Sequence, residues 1–420
     1  MTKKFYEMGG REERLAFLRD SARLSDDEAA AFGNALAFDD ANRMVENAVG
    51  IMSVPLGIAT NFVINGVERL IPMAIEEPSV IAAASKAAKI ARKNGGFTAE
   101  AGASLMIGQV QVVSIKKNAA HARRKVLAKR KELMAIANTK SKSVRAVGIQ
   151  ARMVRDSSKN KMGQMLVVEL VIDTKDAMGA NAVNTMCEAI APRVAEITGG
   201  DVVLKILSNY ATRRVTKCKA IFDKEDLGGK DVIERILHAY ALAHSDVYRA
   251  VTHNKGVMNG VDAVALATGQ DFRAIEAGAH AYAARDGSYR SLTRWSRAKG
   301  GDLAGEIEMP LAVGTVGGVA NVHPTARIAL KILGVKSAQE LAMTMAAVGL
   351  AQNLAAIRAL ASEGIQKGHM RLHARNIAAM IGAKGSEIDA VARKIADEGA
   401  VNAEAAKKAL SVVRQAFAFR

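Results

Sequence analysis

The chain has 420 residues, a formal net charge of +17 and 50% hydrophobic residues, of which few are aromatic. This length allows two or three domains with substantial cores. The two cysteines, Cys187 and Cys218, exclude a disulfide framework, lack metal-ligand spacing and fit a reducing, cytoplasmic setting. The N-terminus is too charged for a signal peptide and every long apolar run is interrupted, so we expect a soluble protein with no membrane span. The positive charge suits nucleic acid or small ligands that carry several phosphates.

The first hundred residues predict short helices followed by strands. Residues 61–75 alternate between apolar and polar around Asn65 and Gly66, which is typical of a hairpin. A long helix is predicted over 76–96, with Pro78 at its first position.

Residues 103–208 have a periodicity of their own. Apolar alternation predicts four strands and longer apolar spacing predicts two helices, in the chain order strand 105–115, helix 116–138, strands 144–154 and 165–173, helix 177–198, and strand 201–208. This βαββαβ order is typical of a ferredoxin-like sheet covered by two helices.

The rest of the chain divides into two parts. The first is rich in alanine and glycine, with a strand-and-turn insertion at 305–318, and the last stretch is helical after a linker-like GIQKGHM at 364–370. We therefore predict an α+β fold with three domains: a large, mostly helical domain, an inserted ferredoxin-like domain and a small, mobile C-terminal helical domain, at 1–102 with 209–363, 103–208 and 364–420 respectively.

The segment KKNAAHARRKVLAKRKE, residues 116–132, holds eight Lys or Arg and one glutamate. It is either a solvated helix face or a nucleic-acid contact. It has no Phe, Tyr or Trp to stack single-stranded bases, and the chain has no zinc-finger, RNP or KH pattern. The sequence leaves both interpretations open.

Four residues are candidates for chemistry. Glu77 follows an apolar strand at a helix start, where it either caps the helix or is a half-buried general acid. Lys255 lies in THNKGVMNG with no acid of its own, and such a stretch is most often a surface loop. Asp271 is explained as the N-cap of a helix over 272–284. His369 falls in the linker, where a histidine is usually solvated.

Taken by themselves, these residues do not define a reaction. The chain has no nucleophile elbow, no P-loop and no GxGxxG dinucleotide fingerprint. The residues alone therefore indicate a multidomain protein that binds phosphorylated anions.

Eight blocks, in order, resemble the 3-hydroxy-3-methylglutaryl-coenzyme A (HMG-CoA) reductases of class II, the soluble bacterial and archaeal type. The likeness runs from about residue 40 almost to the C-terminus. The blocks are ENAVG (46–50), EEPSVIAAAS (76–85), DAMGAN (176–181), HNKGVMNG (253–260), ATGQDFRAIEAGAHAYA (267–283), GTVGG (314–318), AVGLAQN (347–353) and GHMRLHARN (368–376).

The resemblance implies an oxidoreductase that interconverts HMG-CoA and mevalonate plus free coenzyme A in two hydride transfers with a nicotinamide cofactor. Lys255 would stabilise the oxyanion, Glu77 would give a proton to the carbonyl oxygen, and Asp271 would pair with both. His369 would protonate the coenzyme A thiolate from a C-terminal flap that closes over the substrate. No metal is implied.

Binding roles follow from the same resemblance. The large domain would bind coenzyme A and the HMG group, for which the matching positions are Ser79, Arg249, Asn259 and Gln352. The ferredoxin-like domain would bind the dinucleotide at the helix start of DAMGAN, through Asp176, Met178, Gly179 and Asn181. The family's active site lies at a subunit interface, so the resemblance also implies a homodimer, or a hexamer of dimers.

The cofactor preference rests on one departure from the family pattern. NAD-preferring members carry an acid in the region corresponding to 145–152, whereas this chain has Arg145, Arg152 and no acid there. Arginine favours a 2′-phosphate, so we predict NADPH over NADH. The alternative function is a non-catalytic nucleic-acid-binding protein on a reductase-like scaffold, acting through the basic helix at 116–132.

Overall fold

The fold is that of a computed structural model, which describes residues 5–8, 10–32, 36–115, 118–362 and 365–418. Helices and strands are mixed, which confirms the α+β class. The helices are α1 (Arg11–Ala22), α2 (Asp26–Ala31), α3 (Phe38–Met44), α4 (Val80–Arg92), α5 (Ala119–Ala128), α6 (Arg130–Asn138), α7 (Ala180–Thr198), α8 (Lys224–Leu227), α9 (Lys230–Ser245), α10 (Val247–Ala267), α11 (Phe272–Ala283), α12 (Val319–Val322), α13 (Pro324–Leu333), α14 (Ala338–Ala361), α15 (Ile365–Met380), α16 (Ser386–Asp397) and α17 (Ala403–Ala418). The strands are β1 (Leu56–Ile64), β2 (Val67–Ala74), β3 (Phe97–Ala101), β4 (Leu105–Val113), β5 (Arg145–Arg155), β6 (Gln164–Asp173), β7 (Asp201–Ser208), β8 (Val215–Phe222), β9 (Thr293–Arg297) and β10 (Leu303–Pro310).

The larger sheet has six strands in the order β2-β1-β3-β8-β10-β9. The hairpin of β1 and β2 is confirmed, and Asn65 and Gly66 both take the positive φ that its tight turn requires. Strand β8, which follows the smaller sheet along the chain, pairs with β3, which precedes it. The smaller sheet is thus an insertion between two neighbouring strands of the larger one.

Strands β3, β8 and β9 of this sheet were not predicted. The predicted strand-and-turn insertion at 305–318 is confirmed as a strand, β10, which is held between β8 and β9 inside the sheet. Strand β8 alternates between buried and exposed positions, because one face of the sheet packs on the core while Lys217 and Lys219 point away from it. That alternation lies in a chain region whose alanine and glycine content suggested helices and loops.

The smaller sheet is antiparallel, with the order β5-β6-β4-β7, and the predicted βαββαβ arrangement is confirmed. Helices α5, α6 and α7 cover one face and share a separate core with its strands. The predicted single helix over 116–138 is two helices that meet at Lys129, and Lys116 and Lys117 lie outside the described residues.

Helix α14 lies at the centre of the larger core. Among the described residues it is the one helix long and apolar enough to cross a membrane, but 78% of its most apolar window is buried against the rest of the protein. It packs on α10, α4 and the larger sheet. Its apolar sequence is therefore that of a core helix.

Helix α10 corrects the expectation that Lys255 lies in a surface loop. The helix runs unbroken through THNKGVMNG, including Gly256 and Gly260. A Cβ at Gly256 would lie 3.4 Å from the Ala356 Cβ, and one at Gly260 would lie 2.9 Å from the Gln352 Cβ. The glycines are therefore contact points between α10 and α14, and this packing overrides their weak helix propensity.

The last three helices, α15 to α17, enclose a small core of their own. The predicted linker at 364–370 is wrong from residue 365 onward, because those residues begin α15. The division of the chain into 1–102 with 209–363, 103–208 and 364–420 stays a prediction.

Candidate active site

Six predicted site residues line one cavity of about 470 Å³ between α4, α10 and α14. We call them the cavity group: Glu77, Ser79, Arg249, Lys255, Asn259 and Gln352. They come from three separate parts of the chain, so the fold, not sequence proximity, assembles them. A second cavity of about 290 Å³, beside β8 and β10, contains none of the predicted residues.

Lys255 has its acid partner 178 residues away in the chain. Its Nζ lies 2.7 Å from Glu77 Oε2, and Asn259 Nδ2 lies 3.4 Å from the same oxygen. Asn259 is one helical turn after Lys255 on α10, so the two side chains reach the carboxylate together. The Lys255 side chain is 60% exposed and that of Glu77 is 31% exposed, so the pair is open to a ligand entering the cavity.

The backbone beside Glu77 is strained where it enters the cavity. The predicted helix start at Pro78 shifts by two residues, and Ser79 becomes the N-cap of α4 with a left-handed φ of 76°. Its side chain makes no capping hydrogen bond. A non-glycine residue in this conformation is uncommon and concentrates at functional sites. The Ser79 hydroxyl is thus at the cavity wall without being used as a cap.

Behind Lys255 lies a buried polar network that the sequence did not reveal. The His253 Nε2 is 2.7 Å from Thr293 Oγ1, which donates to Asn353 Oδ1 at 2.9 Å. Trp295 donates to the same oxygen, and Asn353 Nδ2 donates to the His253 carbonyl. These bonds fix the turn of α10 that carries Lys255 against α14 and β9.

The hydrogen-bond directions assign the state of the histidine. The Thr293 hydroxyl gives its proton to Asn353, so it accepts from His253, whose Nε2 carries the hydrogen. Burial, and secondarily the charge of Arg249, lowers the pKa of His253 to about 3, so the ring is neutral. Its Nδ1 is left as a buried acceptor without a partner, and so is Gln352 Oε1. Both residues line the cavity, and buried polar atoms without partners are costly unless a ligand or water completes them.

Asp271 does not join the cavity group within one chain. It caps α11, accepting from Ala274 N at 3.0 Å, and pairs with Arg273. Asp271 comes after the end of α10 at Ala267. Ala267 itself is twelve residues, or about 18 Å along the helix, from Lys255. The predicted contact of Asp271 with Glu77 and Lys255 is therefore absent from the described contacts of the single chain.

Asp271 instead lies near the predicted dinucleotide residues. Its neighbour Gln270 accepts from Gly314 N at 2.8 Å. The carbonyl of Asp176 accepts from Thr315 N at 2.8 Å, and its carboxylate accepts from Ala338 N at 2.9 Å. Asp176 thus ties the turn before α7 to the loop after β10 and to the start of α14.

The helix start in DAMGAN is suited to a phosphate. Helix α7 begins at Ala180, after Gly179 with a φ of 93°, and no side chain caps its first turn. A Cβ at Gly179 would lie 2.3 Å from a Thr174 methyl, so only glycine fits. Met178 packs partly on the small-sheet core, while Asn181 lies in the first turn of the helix. Free N–H groups at a helix start attract anions.

The two predicted arginines lie on β5. Arg152 Nε is 2.8 Å from Glu169 on β6, so an acid faces this arginine although none lies within 145–152. Arg145 is exposed at the start of the strand. His369 lies in α15, and its side chain is outside the part that the structure describes.

Two acidic side chains, Asp262 on α10 and Glu276 on α11, form a pair. Burial, followed by a hydrogen bond to Glu276, raises the pKa of Asp262 to about 9. The hydrogen bond from His280, 2.5 Å away, holds the pKa of Glu276 below its usual range. Asp262 therefore keeps its proton at neutral pH and shares it with Glu276.

Comparison with known proteins identifies the family of the chain. The family model of hydroxymethylglutaryl-coenzyme A reductase matches residues 10–374. The chain belongs to this family. Over 98% of its length it is 51% identical to the 3-hydroxy-3-methylglutaryl-coenzyme A reductase of Archaeoglobus fulgidus, 94% of which is covered. A probable reductase of Borreliella burgdorferi is 37% identical, with 80% of this chain and 77% of the relative aligned.

The solved structures show the same relationship. A class II HMG-CoA reductase from Streptococcus pneumoniae, bound to NADPH in open conformations, superposes with a TM-score of 0.80 at 38% identity, covering 97% of this chain and 100% of that one. The resemblance to the class II reductases is thereby confirmed, as is the fold class. The basic segment at 116–132 gains no support as a nucleic-acid site from any of these matches.

Proposed function

We propose that this reductase family member interconverts HMG-CoA and mevalonate plus free coenzyme A, with two reduced nicotinamide cofactors and two protons consumed in the direction of mevalonate. The observation that carries the proposal is the contact of Glu77 with Lys255 and Asn259 inside a cavity whose wall holds two unpartnered polar atoms. The bound nicotinamide would supply the hydride in each of the two reductions.

Each residue of the cavity group then has a role that its position supports. Lys255 would place a positive charge where the thioester carbonyl oxygen becomes negative. Glu77, which lies at hydrogen-bond distance from Lys255, would supply the proton to that oxygen. Burial lowers the pKa of the Arg249 guanidinium, and the group forms a fork suited to the HMG carboxylate. Ser79 and Gln352 would bind the remaining oxygens. His369 would protonate the thiolate that leaves with coenzyme A.

We propose that Asp271 acts on the site of a second subunit. One chain separates Asp271 from Lys255 by most of helix α10, so pairing requires another copy. Apolar side chains are exposed around each group, as expected at a contact between copies. Beside the cavity these are Leu242, Val247, Tyr248 and Val251, and beside Asp271 they are Leu266, Val316, Val319 and Val322. The assembly would be a homodimer, or a hexamer of dimers, in the cytoplasm.

The cofactor would bind at the start of α7. Asp176, Met178, Gly179 and Asn181 form the turn and first residues there, and the uncapped N–H groups suit the pyrophosphate. NADPH is preferred over NADH because Arg145 and Arg152 supply positive charge on β5 for a 2′-phosphate. Arg152 must share its charge with Glu169, so Arg145 is the freer of the two among the described contacts.

The test is the absorbance of reduced nicotinamide after HMG-CoA is added, with NADPH and NADH compared side by side. Oxidation of NADPH faster than NADH, which Lys255→Ala abolishes, is the expected result. A folded oligomer that oxidises neither cofactor would contradict the proposed reaction. A faster rate with NADH would leave the reaction intact but overturn the cofactor preference.

A further inference from the structure

Arg214 is a buried cation at the junction of the two sheets. It is 4% exposed and lies just before β8, where the chain returns from the smaller sheet to the larger. Burial lowers the pKa of its guanidinium to about 10, while Asp176 and Asp173 favour the charged form. A charge buried at this depth requires a dense set of acceptors.

Its acceptors lie on two different loops. One guanidinium nitrogen donates to Thr174 Oγ1 and to the Ala177 carbonyl, both at 3.1 Å. The other donates to the Val313 carbonyl. The first loop leads into DAMGAN and the second into GTVGG, so one side chain holds both.

These loops are joined to the proposed site on either side. Thr174 in turn donates to the Ser104 carbonyl at the start of β4, which fixes the turn on the smaller sheet. The residue after Val313 is Gly314, whose N–H is bonded to Gln270, next to Asp271. A Cβ on Gly314 would lie 2.5 Å from Met178 N, so the two loops are in direct contact. Arg214 thus lies between the helix start of α7 and the segment that carries Asp271.

We infer that Arg214 is a positioning residue, which sets the turn before α7 for the cofactor pyrophosphate and keeps it in register with Asp271. This inference rests on the proposed cofactor role of that turn. The planar fork of arginine spans acceptors on two loops, whereas the single ammonium of lysine cannot reach all three with the same geometry. The role does not involve contact with the cofactor itself.

The test uses the full chain and the variant Arg214→Lys, with Arg213→Lys as the matched control because Arg213 is the exposed neighbour. NADPH binding is measured by nicotinamide fluorescence, and the KM for HMG-CoA is measured at saturating NADPH. We expect Arg214→Lys to weaken NADPH binding about tenfold, because small misplacements of binding groups have effects of at least this size. The KM for HMG-CoA should change less than about twofold, since the cavity group makes no described contact with Arg214.

A variant that merely destabilised the fold would lower the melting temperature and leave the NADPH dissociation constant of the folded protein unchanged. That result, or equal weakening for HMG-CoA, would overturn the inference. If Arg214→Lys does not fold, the inference is tested with Thr174→Val, which removes one acceptor and keeps the arginine. Unchanged NADPH binding by Thr174→Val would also overturn the inference. Wild-type protein that binds neither NADPH nor NADH would instead refute the proposed cofactor role, and this inference with it.

Discussion

The cavity group and the Asp271 region differ in how complete they are within one chain. Around Lys255 the single chain already supplies a carboxylate at 2.7 Å, an amide and a cavity wall with unpartnered polar atoms. Asp271 lies beyond the far end of the same helix, at the start of α11, with only its own cap and a nearby arginine as described partners. Under the proposed function, the cavity group would form the substrate pocket within one chain, whereas pairing Asp271 with Lys255 would need two chains.

The largest expected effect comes from breaking each region separately and mixing the products. Lys255→Ala and Asp271→Ala should each lower kcat by about a thousandfold, the size expected when a charge at the reacting oxygen is lost. In random dimers of the two variants, half are mixed, and each mixed dimer has one intact site. Activity should therefore recover to about a quarter of the wild-type value. Steady-state assays after co-refolding measure this.

The matched control replaces Asp271→Ala by Glu77→Ala. Lys255 and Glu77 meet within one chain, so mixed dimers of these variants have no intact site and should stay inactive. Recovery of activity in this control mixture, or no recovery in the first mixture, would show that Lys255 and Asp271 of one site do not come from different chains.

The next effect concerns the cavity alone. Gly260→Ala places a Cβ 2.9 Å from the Gln352 Cβ and 3.0 Å from the Val348 carbonyl, so α10 and α14 must separate. We expect unfolding in denaturant to show a loss of about 1–3 kcal/mol, typical of overpacking. The KM for HMG-CoA should rise more than the KM for NADPH, because Asn259 and Gln352 move while the turn before α7 does not.

Gly148→Ala serves as the control for that variant. A Cβ there makes only ordinary contact, 3.6 Å from Val171, and lies in the smaller sheet. Its stability and both KM values should remain close to those of the wild type. If both glycine variants raise the two KM values equally, the two regions are coupled more tightly than the contacts suggest.

The same contrast explains what the sequence could predict. Local signals were sufficient for the Asn65-Gly66 hairpin and for the βαββαβ sheet, since turn residues and alternation are written in consecutive positions. Helix α10 was missed because its glycines are explained only by α14, about a hundred residues away. Glu77 and Lys255 were candidates from their local sequence, but their pairing and the other cavity residues came from the family resemblance, as no local rule joins Glu77 to Lys255. His253 lay two residues before Lys255 in a stretch already singled out, but its burial depends on tertiary packing. Arg214, in an Arg-Arg pair, resembles a surface residue in the sequence.

The smallest effect tests whether α10 and α11, which carry Lys255 and Asp271, depend on the shared proton of Asp262 and Glu276. The pKa of Asp262 is raised to about 9 in the folded chain, against about 4 when unfolded. Between these values the folded state binds more protons than the unfolded state, so the contribution of Asp262 to stability declines as the pH rises. Asp262→Asn can still donate to Glu276 but has no proton to lose. Its free energy of unfolding at pH 8 should exceed that of the wild type, with little difference at pH 4, measured in guanidinium. Asp286→Asn, at an exposed loop acid, is the matched control. Equal destabilisation of Asp262→Asn at both pH values would contradict the proton shared between Asp262 and Glu276.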